Sequence, residues 1–294
     1  MPLSFRGCFD YFHAMPCIVL DSITPDTVTC AGYCRACGRE HLLHAGQALE
    51  LARRLMGQLE EHGRIDFDVP QAEADPRFGL DYLNGPARGQ MFGVLAYRDA
   101  RGHTGALKAF SCQYNGAWLV PGWVPPVVDA QVFARIHDPV ERRIKALGRE
   151  MGALPAVDPR RPALKQQRKA LAQQNMKDLH ALYQLHNFRG LTRSMAEVFL
   201  GPGGLPTGTG DCCAPKLVQY AARNGLTPTG LVEFYWGREN SSGTRHQGEF
   251  YPACPERCAP ILGFMLCGLE GQGRGGAVDL ERELDSNGVT TEDR

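Results

Sequence analysis

Asp211-Cys212-Cys213-Ala214-Pro215-Lys216-Leu217 and Arg257-Cys258-Ala259-Pro260-Ile261-Leu262 share a pattern in which Cys-Ala-Pro opens an apolar run. Proline is comfortable only in the first turn of a helix, so each run reads as a helix with a cysteine at its N-terminus. The free N–H groups and the positive end of the helix dipole at that position stabilise a thiolate, the form of cysteine that binds metal. Leu231-Val232-Glu233-Phe234-Tyr235-Trp236, between them, is rich in branched and aromatic residues and reads as a buried strand. The order helix, strand, helix follows. Upstream of the second helix, Cys254 stands four residues before Cys258, and His246 eight residues before Cys254. Cys212, Cys254 and Cys258 are therefore expected to share one metal, with His246 as a further ligand or base.

Working outward, Met91-Phe92-Gly93-Val94-Leu95-Ala96-Tyr97 and Ala106-Leu107-Lys108-Ala109-Phe110 predict a hairpin. Residues 130–200 carry two helical patterns separated by Pro155-Ala156-Val157-Asp158-Pro159-Arg160-Arg161-Pro162 and predict a helical arm. Residues 159–177 hold Arg160, Arg161, Lys165, Arg168, Lys169 and Lys177 with no acid, a patch suited to phosphates. The fold expected is α/β: a mixed sheet with flanking helices over residues 49–268, the arm inserted at 130–200, and a disordered acidic tail at 269–294.

Residues 1–48 form a separate expectation. Cys34 and Cys37 make a Cys-x2-Cys-Gly knuckle; Cys30 and His41 complete a tetrahedral zinc set, with His44, Cys8 or Cys17 as alternatives for the fourth ligand. The Cys30-x3-Cys34-x2-Cys37 spacing also matches iron–sulfur ligation in radical enzymes, but the repeated strand–helix pattern of their barrel is missing. The helix predicted after the knuckle spans residues 46–62.

The 294 residues are 43% hydrophobic and 22% charged, and Lys+Arg equals Asp+Glu at 32. That excludes a disordered chain, and any polyanion site must be a local patch. Eleven cysteines with no export signal favour metal binding over a disulfide framework, and no stretch is apolar enough to span a bilayer. The expectation is a cytoplasmic protein with no membrane contact.

The layout of metal-bearing helix N-termini around a strand, with a hairpin upstream, resembles the zinc-dependent nucleobase deaminases, where zinc activates water and a Glu moves protons. The second motif is Cys-x3-Cys here, not Cys-x2-Cys, and Ala214 stands where that Glu would be. The nearest acid is Asp211, with Glu233 and Glu256 as the other acids that could serve. The runs Met91–Leu95, Ala109–Ser111, Val124–Asp129, Gly210–Leu217, Glu233–Gly237 and Phe250–Cys254 resemble, in order, the N-terminal extension of a subgroup of bacterial RluA-type pseudouridine synthases. The resemblance covers roughly residues 85–268. No His-Arg-Leu-Asp synthase motif is present, so it implies a link to RNA modification without pseudouridine formation by this chain. It favours Cys212 over Cys213 as ligand and keeps Asp211, Cys254 and Cys258; the knuckle is a departure from it.

Two functions are expected on this basis. One is a zinc-binding, RNA-associated protein that deaminates a base hydrolytically, with Asp211 moving protons. The other is a non-catalytic module whose zinc is structural and whose Arg160, Arg161, Lys165, Arg168 and Lys169 hold RNA for an RNA-modifying enzyme acting in trans.

Overall fold

The computed structural model describes residues 22–85 and 87–272. Cys8, Cys17 and residues 273–294 of the expected tail lie outside them. The chain is a mixed α/β fold, as expected. Strands β1 (Val28–Cys34) and β2 (Arg39–His44) form a hairpin, followed by helix α1 (Ala48–His62) and the short α2 (Asp81–Asn84). Strands β3 (Gln90–Arg98) and β4 (Thr104–Phe110) lead into the arm helices α3 (Ala130–Ala153) and α4 (Arg161–His180). The small pair β5 (Gln184–His186) and β6 (Thr192–Ser194) and the turn α5 (Met195–Val198) come next. Helix α6 (Cys213–Arg223), strand β7 (Thr227–Trp236), β8 (Phe250–Tyr251), α7 (Ala259–Leu266) and α8 (Leu269–Gln272) are the last elements among the described residues.

The central sheet runs β4-β3-β7-β8. Every pairing in it is antiparallel, where a mixed sheet was expected. Side chains alternate across it with period two. Phe92, Val94, Ala96, Val232, Phe234 and Trp236 face one apolar layer with α1, while Leu95 and Leu231 face a second layer with α6 and α7. Glu233 lies between Leu231 and Tyr235, so its parity sends a carboxyl toward the α6–α7 layer. Its register partner on β3 is Gly93. A Cβ at Gly93 would come within 2.6 Å of the Cys213 Cβ, so the missing side chain lets the start of α6 sit directly on the sheet.

The β1–β2 hairpin lies across α7, and the contact is made backbone to backbone. A Cβ on Gly263 would fall 2.1 Å from the Tyr33 carbonyl oxygen, and one on Gly32 would fall 2.3 Å from the Gly263 nitrogen. At the other end of the hairpin, Thr29 Oγ1 donates to the Leu231 carbonyl of β7. The expected knuckle segment is thus packed on the core of the larger unit.

The arm is a helical hairpin. Leu147 and Leu179 are buried in it, and Asn175 Nδ2 donates to His137 Nδ1 at 3.0 Å.

Gly263→Ala should cost at least about 1–3 kcal/mol, the range for overpacking, because the opposing atoms are backbone and cannot rotate away. Gly57→Ala, in the exposed interior of α1 with nothing within 4 Å of the added carbon, should gain about 0.5–1 kcal/mol. Thermal denaturation of the two variants checks both signs.

Candidate metal centre

The tip of the β1–β2 hairpin supplies three of the four groups in the candidate centre. Cys34 ends β1, Gly38 turns the chain with φ 69°, and the Gly38 N–H returns to the Cys34 carbonyl at 2.9 Å, so Cys37 is folded back over Cys34. Along β2, His41 and Leu43 are buried while Leu42 and His44 are exposed; strand parity therefore selects His41 over His44. The fourth group comes from the far end of the sequence. Cys267 follows the last residue of α7, is buried, and brings its sulfur to 3.9 Å from Cys37 Sγ. The His41 Nε2 stands 3.1 Å from Cys37 Sγ.

One ligand atom from each of Cys34, Cys37, His41 and Cys267 lies within 4.8 Å of the others, so this group could hold a metal ion; among the described residues it is the one such cluster of three or more. Three sulfurs and an imidazole at these separations match the donor set of a closed tetrahedral site. The electrostatics agree. Burial raises the Cys37 thiol, but hydrogen bonds from His41 and the Arg39 backbone outweigh it and bring the group down to about 6. Burial and the neighbouring Cys34 push Cys267 up to about 12.

Cys30 is not part of this group. It is four residues from Cys34 on the same strand, and four residues of extended chain span roughly 13 Å. Its thiol is instead buried in the apolar layer and pushed up by burial and by the nearby Glu233.

The second expected cluster is partly assembled. Cys212 and Cys258 are the N-cap residues of α6 and α7, as the Cys-Ala-Pro reading required. The Cys258 thiol interacts with both Cys212 and Cys254, and these interactions with burial raise it. Cys254 moves the other way, to about 6, held by the Cys258 thiol and by the backbone N–H groups of Arg257 and Glu256. The three sulfurs do not close to within 4.8 Å of one another.

The two acids nearby differ in circumstance. Asp211 is buried and accepts from the Tyr183 hydroxyl at 2.6 Å; burial raises it, opposed by that bond, Lys216 and Arg257. Glu233 accepts from the Ala214 N–H at the start of α6 at 2.8 Å, and burial lifts it to about 7 against the pull of that N–H and of Arg245. Glu233 is the acid that faces Cys254. Lys216 is wholly buried and donates to the Phe110 and Cys112 carbonyls at 2.8 and 2.7 Å. His246 lies exposed on a loop.

Of the arm residues, Arg160 is paired with Asp158 at 3.0 Å and Arg161 donates to the Met151 and Leu154 carbonyls at the end of α3. Lys165, Arg168 and Lys169 are exposed on α4. No helix among the described residues is long and apolar enough to cross a membrane. Comparison of the chain with family models, curated proteins and solved structures finds no match in any of the three.

Because the folded Glu233 carboxyl lies above its ordinary 4.5, its contribution to stability is full below about pH 4.5 and is lost as pH rises through 7. Glu233→Gln, which keeps the acceptor for Ala214, should therefore match wild type near pH 4 and exceed it by up to about 3 kcal/mol at pH 8. Denaturant unfolding at the two pH values reads the difference.

Proposed function

We propose that this chain is a zinc-binding, RNA-associated protein in which zinc at Cys34, Cys37, His41 and Cys267 is structural and the helical arm contacts RNA. The closed four-donor cluster carries the zinc half: three thiolates and one imidazole suit zinc, and a full set leaves no position for a reacting group. Nine free cysteines among the described residues suit a reducing compartment such as the cytoplasm.

Charge placement supports the RNA half. Residues 130–180 hold eleven Lys and Arg against five Asp and Glu in a chain whose overall balance is zero. The first half of α4 carries Arg160, Arg161, Lys165, Arg168 and Lys169, next to the positive end of the helix dipole where cations are unfavourable. Sequences break such a local rule at functional sites. The resemblance to the pseudouridine synthase extension extends the proposal to RNA modification, with an RNA-modifying enzyme as partner in trans.

A second reading, hydrolytic deamination of a nucleobase, is favoured by one observation: Glu233, buried and raised to about 7, bonds to the start of α6 at Ala214 and lies near the Cys213 and Cys254 thiols. There a metal held by Cys212, Cys254 and Cys258 would supply the activated water, and Glu233 in place of Asp211 would carry its proton to the departing ammonia. Ammonia release lost in Glu233→Gln at unchanged metal content would favour this reading.

Anaerobically purified protein should hold one tightly bound zinc that Cys267→Ser loses and Cys30→Ala keeps; elemental analysis decides between Cys267 and Cys30. Lys165→Ala, Arg168→Ala and Lys169→Ala combined should weaken binding to a structured RNA hairpin and flatten the log Kd against log salt slope by roughly 2–3. An unchanged slope would remove the arm from the interface.

A further inference from the structure

Of the groups at the candidate metal centre, one is not a ligand. The His41 ring is buried, with Nε2 turned toward Cys37 Sγ at 3.1 Å. Its other nitrogen, Nδ1, is shielded from solvent and has no hydrogen bond of ordinary length. The group it faces is the Glu270 carboxylate, 3.5 Å away. Glu270 is on α8, three residues beyond Cys267. Gly268 joins them with φ 97°, where a side chain would strike the backbone and side chain of Arg189, so the reversal that aims both groups at the hairpin needs glycine.

We infer that Glu270 is the positioning carboxylate of the metal centre: it accepts the Nδ1–H of His41, fixes the tautomer that leaves the Nε2 lone pair free for the ion, and raises the basicity of that nitrogen. The inference rests on the metal reading above. Carboxylates behind metal-bound imidazoles act in this way, and losing one typically costs 10–100-fold in metal affinity. The geometry singles out Glu270 on two counts. A neutral imidazole has one N–H, and once Nε2 is given to the ion that N–H must be at Nδ1, where leaving it buried without an acceptor is costly. Glu270 is also reachable: its side chain is 60% exposed, and Arg39 stands 3.9 Å from its other carboxylate oxygen. Cys267 thus supplies one ligand, and Glu270, expected from composition to lie in a disordered tail beginning at residue 269, supplies the orienting group of another.

The test is zinc affinity of the full chain, measured by chelator competition on wild type, Glu270→Gln and Arg39→Gln, with cobalt substitution as a spectroscopic readout. Glu270→Gln should still take one metal per chain, about 10–100-fold more weakly, with shifted cobalt ligand-field bands. Arg39→Gln, which removes the competing partner of Glu270, should stay within twofold of wild type. The metal-free forms of wild type and Glu270→Gln should melt at the same temperature, because the carboxylate acts through the ion. Affinity of Glu270→Gln within twofold of wild type, or an equal loss of stability in the metal-free form, would overturn the inference. Wild type that binds no zinc would overturn the metal reading itself, a failure distinct from that of Glu270.

Discussion

The contact of Gly32 with Gly263 sets the distance between the β1–β2 hairpin and α7, and much of the structure depends on it. Two backbones meet with no side chain between them, so the hairpin has one depth at which it can seat. At that depth Cys34, Cys37 and His41 stand within reach of Cys267, one turn beyond Gly263 on the helix that the hairpin crosses. A layer of side chains at the crossing would hold the strands several ångströms further off and separate the sulfurs. The same constraint seats Thr29 against β7 and places Cys30 in the apolar layer, where a thiol behaves as a small hydrophobe.

A second demand falls on the layer between the sheet and α6. Asp211, Lys216 and Glu233 are all buried there, and each is satisfied chiefly by backbone or hydroxyl groups: Glu233 by the Ala214 N–H, Lys216 by two carbonyls, Asp211 by Tyr183. Burial raises both acids and lowers the lysine, so each charged form is held against a desolvation penalty. A buried polar layer of this kind is costly unless each member is bonded, and here the start of α6 is the element that meets the requirement. Placing cysteines at the N-caps of α6 and α7 adds polarizable groups at the same face.

Local pattern made most of the architecture legible. Proline after Cys-Ala located the starts of α6 and α7, apolar periodicity located α1, α3 and α4, and the aromatic run located β7. The Cys-x2-Cys-Gly turn gave Cys34 and Cys37 of the candidate cluster and offered His41 beside His44; choosing between the two histidines needed the alternation of β2. What stayed hidden has a physical cause in each case. Cys267 sits in Phe264-Met265-Leu266-Cys267, where it reads as one more apolar residue, and its partners are more than two hundred positions away. Cys30 counts with the knuckle by its nearness in sequence, whereas an extended strand carries it away from Cys34. Glu233 could have been placed by following strand parity, since it is the one charged residue on the inward face of an apolar run. Glu270 belongs to a stretch whose composition resembles a tail, and only the turn at Gly268 makes it part of the fold.

The distance in sequence between the hairpin's ligands and Cys267 has a bearing on how the protein is made. During synthesis the first three donors emerge as an early, incomplete chelate, while the fourth leaves the ribosome after some 230 further residues. On the proposed metal reading, the chelate effect of the full set is available only once the β1–β2 hairpin has seated on α7, so tight retention of the ion would report assembly of those elements. On the same reading, release of the nascent protein or a frameshift between His41 and Cys267 would leave a weak three-donor site from which cellular thiols could strip the ion.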